Sequence, residues 1–178
     1  MATEDIVYRG IRFDIQRIAW TGRGGERLEK DVILYAPSVI LVAMPAPGRV
    51  LMIRNERPAV KETLLELPAG GVEEGETLEQ CAARELEEET GYRPERVRPL
   101  GSYYLAPSYT TELMHAYWAE GLSGGPEMQR LRPDEAIHVE PVSVDELADA
   151  VRTNRIKDGK TIAALALAAA AGLLPWMK

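Results

Sequence analysis

Residues 70–92, GGVEEGETLEQCAARELEEETGY, join a glycine-rich loop to an acidic segment, and the rest of the chain is interpreted around this stretch. Thr77 and Gln80 have the spacing of a capping box, in which each side chain bonds the backbone N–H of the other residue. Apolar residues then recur every four positions, as on one face of a helix. Gly91 is placed to end that helix in a left-handed conformation. The pattern predicts one helix over Leu78–Thr90.

Three carboxylates share one face of the predicted helix. Glu85 and Glu89 lie four residues apart with Glu88 between them, and Arg84 is the basic residue of the same turn. Each like-charge pair at this spacing costs about 0.2–0.5 kcal/mol, and negative charge near a helix C-terminus also opposes the macrodipole. Two interpretations are open: a solvated acidic helix face, or a site for Mg²⁺ or Mn²⁺, which prefer carboxylate oxygens.

The spacing of the whole stretch separates these interpretations. It resembles the Nudix box, which reads Gly, five residues, Glu, seven residues, Arg-Glu, an apolar residue, any residue, Glu-Glu, any residue, Gly and an apolar residue. Tyr92 stands where Ile, Leu or Val is more usual. So many fixed positions argue against a chance match and favour the metal site. The motif is filled by Gly70, Glu76, Arg84, Glu85, Leu86, Glu88, Glu89, Gly91 and Tyr92.

The resemblance extends to the ADP-ribose pyrophosphatase branch of the Nudix hydrolases. Ile53–Gly70, IRNERPAVKETLLELPAG, is similar to the approach to the box in that branch. Pro107–Glu112 is similar to a loop that follows a characteristic proline, and Ile156–Thr161 to a C-terminal pattern. Asn55 and Glu56 depart from the Gln-Tyr that usually precedes the arginine of this branch. The departure bears on substrate choice and leaves the metal site intact.

The resemblance implies a set of metal ligands. It makes Glu85 and Glu89 the principal ligands of Mg²⁺, for which Mn²⁺ is a possible substitute, and it adds the backbone carbonyl of Ala69. Glu88 is implied as a further ligand or as a group just behind the ligands. Arg84 is expected to orient the carboxylates, because a guanidinium can donate two parallel hydrogen bonds to a carboxylate.

The catalytic base and the substrate contacts are expected outside the box. Glu135 is our candidate for the base, because its acidic loop leads into a strand as in the family; Glu88 and Glu112 are the reserve candidates. An exposed acidic pair is the alternative interpretation of that loop. Arg57 is implied as a phosphate or base contact, Glu112 as a contact of the terminal ribose, and Pro107 as part of the substrate loop. Ordinary surface positions remain the alternative for Arg57 and Glu112.

The elements around the box predict an α/β fold. Apolar and β-branched runs separated by turns predict two β-hairpins before the helix and further strands after it. Ser143 and Glu146 cap a later helix, and an alanine-rich segment forms the last one. We expect a Nudix-type α/β/α sandwich with a mixed β-sheet and a small N-terminal β-hairpin. The segments are the hairpins Ile6–Trp20 with Leu28–Tyr35 and Val39–Met44 with Val50–Ile53, the strands Val97–Leu105, Leu113–Ala119 and Ile137–Val142, and the helix Thr161–Leu174.

We expect two parts in the chain: an N-terminal β element over residues 1–36 and a Nudix domain over residues 37–178. An isolated hairpin is marginally stable. Because the family often dimerises through such strands, we expect a homodimer held by the N-terminal element. An aromatic residue that stacks on the adenine could come from Tyr8, Phe13 or Trp20, and the sequence leaves that choice open.

Length and charge limit the function classes. The 178 residues fit one ordinary domain, and the net charge of -7 with a pI near 5.0 argues against a surface that coats nucleic acid. The apolar run Ile162–Pro175 is shorter than the roughly 20 residues of a membrane span, and Ala2–Asp14 has no signal-peptide pattern. We therefore expect a cytoplasmic protein that binds neither nucleic acid nor membranes.

These features predict an Mg²⁺-dependent hydrolase that cleaves ADP-ribose to AMP and ribose 5-phosphate. Another nucleoside diphosphate derivative, such as a nucleotide sugar, FAD, NADH or a dinucleoside polyphosphate, is the alternative within the enzyme class. A non-catalytic nucleotide sensor with the same fold is the alternative outside it. Such sensors usually lose carboxylates of the box, and this chain retains all of them.

Overall fold

The structure is a computed structural model that describes residues 5–133 and 135–175. It has the α/β class expected from the sequence. Asp134 of the acidic loop and the first four residues of the expected N-terminal element lie outside the described residues. In chain order the elements are β1 (Asp5–Arg9), β2 (Asp14–Thr21), β3 (Arg27–Leu34), β4 (Ser38–Ala43), β5 (Arg49–Arg57), β6 (Glu62–Glu66), β7 (Ala69–Gly71), α1 (Leu78–Thr90), β8 (Tyr92–Arg93), β9 (Arg96–Tyr104), β10 (Leu113–Glu120), β11 (Ser123–Gly124), β12 (Ile137–Ser143), α2 (Val144–Arg152) and α3 (Gly159–Ala170).

The first three strands form an antiparallel sheet of their own, in the order β1-β2-β3. The first predicted hairpin is present as β2-β3, but its first arm, Ile6–Trp20, is wrong as a single strand. The chain turns between β1 and β2, where the amide of Gly10 donates to the carbonyl of Phe13. Strand β3 docks on the core, since the amide of Ile33 donates to the carbonyl of Tyr109 at 2.8 Å.

The second predicted hairpin, Val39–Met44 with Val50–Ile53, is wrong. Strand β4 lies in a four-stranded sheet of order β7-β4-β10-β9, whereas β5 lies in an antiparallel sheet of order β12-β5-β6. Strand β4 runs parallel to β10 and antiparallel to β7, so its sheet is mixed, as expected. The turn between β4 and β5 therefore connects two sheets: β4 pairs with the distant β10, and β5 pairs with the distant β12 as well as with the next strand, β6.

Strand β4 is buried on both faces, which explains its unbroken apolar sequence, SVILVA. Alternate residues of a strand point to opposite faces. Val39 joins the apolar cluster that contains Leu86 of α1, whereas Ile40 joins the cluster that contains Leu165 of α3. The mixed sheet thus has helices on both sides, and α1 packs against β4 and β7.

The helix ends follow from local capping. Helix α1 has the predicted bounds, and the Ser143 side chain caps α2 by accepting a hydrogen bond from the amide of Glu146. Helix α3 starts earlier than predicted because the Asp158 side chain accepts from the amide of Thr161. The sequence predicted neither β6 nor β7. Strand β7 consists of Ala-Gly-Gly and is formed through its pairing with β4. Among the described residues, no helix is long and apolar enough to cross a membrane.

Candidate active site

A cleft of about 650 Å³ lies where the end of β5, strand β7, helix α1, the loop before β12 and the start of α3 meet. A concave site of this volume suits a small ligand. Both basic and acidic side chains line it, so the cleft can hold an anionic ligand through arginine and lysine and a metal ion through carboxylates. Its charged lining residues are Arg12, Glu56, Arg57, Glu85, Glu89, Glu112, Arg132, Glu135, Asp158 and Lys160.

Helix α1 presents its carboxylates to this cleft because of its caps and its apolar face. The side chain of Thr77 accepts from the amide of Gln80 at 3.2 Å, and the Gln80 side chain accepts from the amide of Thr77 at 2.9 Å. Gly91 ends the helix with φ of 73°, in the left-handed region. Leu86 and its apolar neighbours pack into the core. With Leu86 packed in this way, Glu85 and Glu89 of the same helix lie on the cleft wall.

Glu85 and Glu89 are 5% and 4% exposed. The pKa of Glu89 is raised to about 8, chiefly by burial and to a smaller extent by the charges of Glu85 and Glu135, against the effect of a hydrogen bond from the Ala69 N–H at 2.9 Å. Burial also raises the pKa of Glu85, although Arg84 opposes that shift. Buried carboxylates are costly without a compensating cation, and their oxygens suit a hard divalent ion. The residues of this wall therefore fit a divalent cation.

The predicted metal ligands are not equally placed. Ala69, Glu85 and Glu89 line the cleft, whereas the side chain of Glu88 is 28% exposed and pairs with Arg84 at 3.2 Å. Within residues 5–133 and 135–175, no three acidic, histidine or cysteine side chains converge as a completed ligand set. The N–H of Ala69 is already used by Glu89, and ligation of a metal by the Ala69 carbonyl stays a prediction.

Arg84 organises the carboxylates from behind the cleft wall. Its Nε and Nη2 donate to the two oxygens of Glu76 at 2.8 Å each, and its Nη1 donates to Glu85 at 2.6 Å. The parallel pair of bonds predicted for Arg84 is thus made to Glu76, which ties the loop to the helix. Arg84 is not among the described residues that line the cleft, and its contact with the cleft wall is made through Glu85.

Gly70 is the point where the backbone of β7 meets the Glu85 side chain. A Cβ atom at Gly70 would lie 2.0 Å from the carboxyl carbon of Glu85, far inside van der Waals contact. At Gly71 a Cβ would have nothing within 4 Å. The first glycine of the motif is therefore required by the Glu85 carboxylate itself.

The loop that carries Glu135 is docked on the C-terminal end of α1. Gln129 Nε2 donates to the carbonyl of Glu89 at 2.6 Å, and the amide of Arg130 donates to the carbonyl of Glu88 at 2.9 Å. These bonds satisfy carbonyls that a helix end leaves without partners. They bring Glu135 to the cleft wall, where its charge acts on Glu89. The candidate base and the candidate metal ligands thus share one cleft.

Arg57 belongs to a buried charge network that the sequence did not indicate. Its Nε and Nη2 donate to Glu66 at 2.9 and 2.6 Å, and Lys160 Nζ donates to the same carboxylate at 2.7 Å. Lys160 also pairs with Asp158 at 2.8 Å. Glu66 is 1% exposed. It holds Arg57 and Lys160 side by side on the cleft wall, where both can meet an anionic group.

Of the two remaining predicted substrate residues, one lines the cleft and the other does not. Glu112 lines the cleft and accepts a hydrogen bond from Ser38 Oγ at 2.9 Å. Pro107 lies in the turn between β9 and β10 and is not among the described lining residues. The aromatic ring in the lining is that of Tyr35, with the ring of Phe13 6.4 Å away between centroids. Tyr35 was not among the residues that the sequence offered for stacking.

Residues 34–165 match the NUDIX domain, which is more than half of the chain. The chain belongs to the Nudix family. The predicted resemblance is thus confirmed.

Several relatives of this Nudix protein carry names that describe pyrophosphatases. It is 31% identical over 141 residues to the ADP-ribose pyrophosphatase of Bacillus subtilis, covering 79% of this chain and 76% of that protein. It is 37% identical over 147 residues to the GDP-mannose pyrophosphatase of Yersinia enterocolitica, covering 77% of this chain and 75% of that one. A crystal structure of an ADP compounds hydrolase has the same fold, with a TM-score of 0.81, 20% identity and coverage of 97% and 96%.

The network around Glu66 is the main part of the Nudix site that sequence reasoning missed. The segments that carry it, ELPAG and DGKT, resemble family patterns and were the available signal. Neither pattern indicates that Glu66 and Lys160 form an ion pair, because 94 residues separate them in the sequence. Lys160 reaches the cleft through the early start of α3, and the pairing of β6 with β5 places Glu66 where it contacts Arg57 and Lys160.

Proposed function

We propose that this chain is an Mg²⁺-dependent hydrolase of ADP-ribose, with AMP and ribose 5-phosphate as products. The observation that carries the proposal is the sharing of one cleft by a buried carboxylate pair, Glu85 and Glu89, a third carboxylate, Glu135, and the guanidinium of Arg57. The similarity to an ADP-ribose pyrophosphatase supports the choice of substrate. Nudix hydrolases generally use a divalent metal, and the donor set of this wall supports Mg²⁺ or Mn²⁺.

The proposed roles follow from position and chemistry. Glu85 and Glu89, with the Ala69 carbonyl, would hold the metal, and Glu88 would support them through Arg84. A bound divalent cation lowers the pKa of a coordinated water and offsets charge on diphosphate oxygens. Glu135 takes a proton from the attacking water, a step worth about 10²- to 10⁴-fold in rate.

The reaction is a hydrolysis. The water oxygen forms a bond to one phosphorus, and the bond from that phosphorus to the bridging oxygen breaks. The bridging oxygen keeps the electron pair and leaves with the second phosphate, so that two phosphomonoesters result. Arg57 donates to phosphate oxygens from the place where Glu66 holds it, and Glu112 accepts hydrogen bonds from ribose hydroxyls.

A panel of substrates tests the proposal. Purified protein with Mg²⁺ is given ADP-ribose, GDP-mannose, FAD, NADH or a dinucleoside polyphosphate, and a phosphatase converts the released phosphomonoesters to inorganic phosphate. The highest kcat/KM for ADP-ribose is expected. The highest value for GDP-mannose would support the second candidate, which the 37% identity to a GDP-mannose pyrophosphatase favours. No release from any substrate, with tight binding of ADP-ribose, would support a sensor.

The proposal includes a cytoplasmic homodimer joined through residues 1–36. In the described part of that element, large apolar side chains are exposed: Tyr8 by 56%, Phe13 by 38% and Trp20 by 43%. A partner subunit seated on this element would cover them. Light scattering is expected to give a dimer for the wild type and a monomer for Trp20→Glu. Tyr104→Glu, at an exposed aromatic position on β9, is the control that stays dimeric.

A further inference from the structure

Arg132 lines the cleft from the loop before β12, and it has no role in the reaction proposed for the other lining residues. Its Nη2 lies 3.2 Å from Glu73 Oε1, 3.9 Å from Glu85 Oε1 and 4.0 Å from Glu88 Oε2. Charge-assisted N–H···O bonds are about 2.7–2.9 Å long, so the two longer distances are electrostatic approaches without a hydrogen bond. The guanidinium is attracted electrostatically to Glu85 and Glu88, but neither carboxylate holds it by a hydrogen bond.

Two arginines therefore neutralise the same carboxylates in different ways. Arg84 is 19% exposed and is held by short bonds to Glu76 and Glu85. The side chain of Arg132 is 46% exposed, and its hydrogen bond to Glu73 is long and on the protein surface. Moving Arg84 would break several charge-assisted bonds, whereas moving Arg132 breaks one weak bond. Arg132 is the arginine that can leave the carboxylates at small cost.

The backbone of Arg132 is anchored although its side chain is loosely held. Its amide donates to Glu135 Oε2 at 2.8 Å, and its carbonyl accepts from the amide of Glu135 at 3.0 Å. Two residues earlier, the amide of Arg130 is bonded to the end of α1. The side chain can thus swing about a fixed Cα beside the candidate base. Because Arg132 lines the cleft, positions inside the cleft are within its reach.

We propose that Arg132 exchanges partners during the reaction cycle: it neutralises Glu85 and Glu88 in the metal-free protein, and it contacts the substrate diphosphate once a divalent cation has taken over those carboxylates. The second half, the contact with the substrate diphosphate, rests on the proposed function. The first half, the neutralisation of Glu85 and Glu88, does not. A cation and a guanidinium repel each other and compete for the same carboxylate oxygens. The planar fork of the released guanidinium matches phosphate oxygens, which gives it a new anionic partner.

The first half of the proposal is tested by the affinity for Mg²⁺ alone. Titration calorimetry without substrate is expected to show about 3- to 10-fold tighter binding for Arg132→Gln than for wild type, because a competing charge of a partly exposed pair is removed. Arg130→Gln is the matched control, since Arg130 lies in the same loop and pairs with Glu87 at 2.6 Å outside the cleft. Equal or weaker Mg²⁺ binding by Arg132→Gln, with an unchanged unfolding temperature, would overturn this half.

The second half is tested by kinetics with the best substrate of the panel. Arg132→Gln is expected to raise KM about 10-fold and to change kcat less, because the contact forms with both substrate and transition state. Arg132→Lys keeps the charge but not the fork, so it should restore the wild-type Mg²⁺ affinity and only part of the KM. An unchanged KM for Arg132→Gln would refute the substrate contact. If the wild type hydrolyses nothing, the proposed function fails, and calorimetry with ADP-ribose and Mg²⁺ replaces KM as the measure of this contact.

Discussion

Replacing Gly70 by alanine would place a methyl group where the Glu85 carboxylate lies. The new Cβ would be 2.0 Å from the carboxyl carbon and 2.2 Å from each carboxylate oxygen. Real Cβ contacts stay beyond 3.0 Å, so the carboxyl carbon has to retreat by at least 3.0 − 2.0 = 1.0 Å. Such a shift also disturbs the hydrogen bond that Glu85 accepts from Arg84 Nη1 at 2.6 Å.

The size of the effect follows from this displacement. A misplacement of about 1 Å at a reacting centre can cost roughly 10²-fold in rate, which equals about 2.7 kcal/mol of transition-state stabilisation. Stability should change little. The methyl group displaces the far end of a side chain, and the restriction of the unfolded chain by alanine, worth about 0.4–1 kcal/mol at an unstrained site, offsets part of the cost of that displacement. We therefore expect a folded protein with a damaged site.

Gly71→Ala is the matched control, because a Cβ there meets nothing within 4 Å. We expect kcat/KM to fall about 10²-fold in Gly70→Ala and less than about 3-fold in Gly71→Ala, with Mg²⁺ affinity reduced in the first variant alone. Steady-state kinetics, calorimetry and thermal unfolding give the three readouts. The reasoning is refuted if Gly70→Ala keeps wild-type kcat/KM and Mg²⁺ affinity, or if both variants are equally impaired.

Three further predictions concern single carboxylates. Glu135→Gln should lower kcat about 10²- to 10⁴-fold with KM roughly unchanged in steady-state kinetics, and near-normal turnover would contradict its role as the base. Glu89→Gln should lose most of the rise in unfolding temperature that Mg²⁺ gives the wild type, whereas the control Glu87→Gln should keep it. Glu66→Gln should lower the free energy of unfolding at pH 7 by about 2–3 kcal/mol in urea titrations, less than the roughly 3–5 kcal/mol of a fully buried ion pair because Arg57 is partly exposed. Although burial raises it, hydrogen bonds from Arg57 and Lys160 hold the pKa of Glu66 below its ordinary value of 4.5. A lowered pKa stabilises the folded state above the unfolded pKa, and this contribution is lost as the pH falls through the folded pKa. The gap between wild type and Glu66→Gln should therefore shrink below about pH 4.5, and a gap independent of pH would contradict the network.

Features set by neighbouring residues could be predicted from the sequence. The bounds of α1 follow from Thr77, Gln80 and Gly91, which act within one turn of the helix ends. The partner of β4 could not be predicted in this way. Its apolar run and the Pro45–Gly48 turn fit a hairpin, but its pairing with β10 joins residues more than 70 positions apart. Burial of both faces of β4 agrees with its central place in this mixed sheet, between β10 and β7.

The same distinction applies to the site. Glu85 and Glu89 could be recognised because their spacing on one helix is fixed, and their placement on the cleft wall agrees with that spacing. Glu66 and Lys160 could not be paired, since each has a local sequence that is compatible with a surface position. Tyr35 was missed for a related reason: it follows β3, and its place in the cleft depends on the docking of the N-terminal sheet on the loop after β9.

The carboxylates of the acidic helix are not all neutralised in the same way. Arg84 neutralises Glu85 and Glu88 from behind, so the repulsion predicted along the helix is largely met by the protein itself. Glu89 has a different environment: the contact that the fold supplies is the neutral N–H of Ala69, and burial raises its pKa to about 8. Among these carboxylates, Glu89 is therefore the one that most lacks a compensating positive charge, and it lies on the cleft side of the helix. Because Arg84 supports the helix without a metal, α1 should remain folded in EDTA, and the metal should serve the reaction rather than the fold.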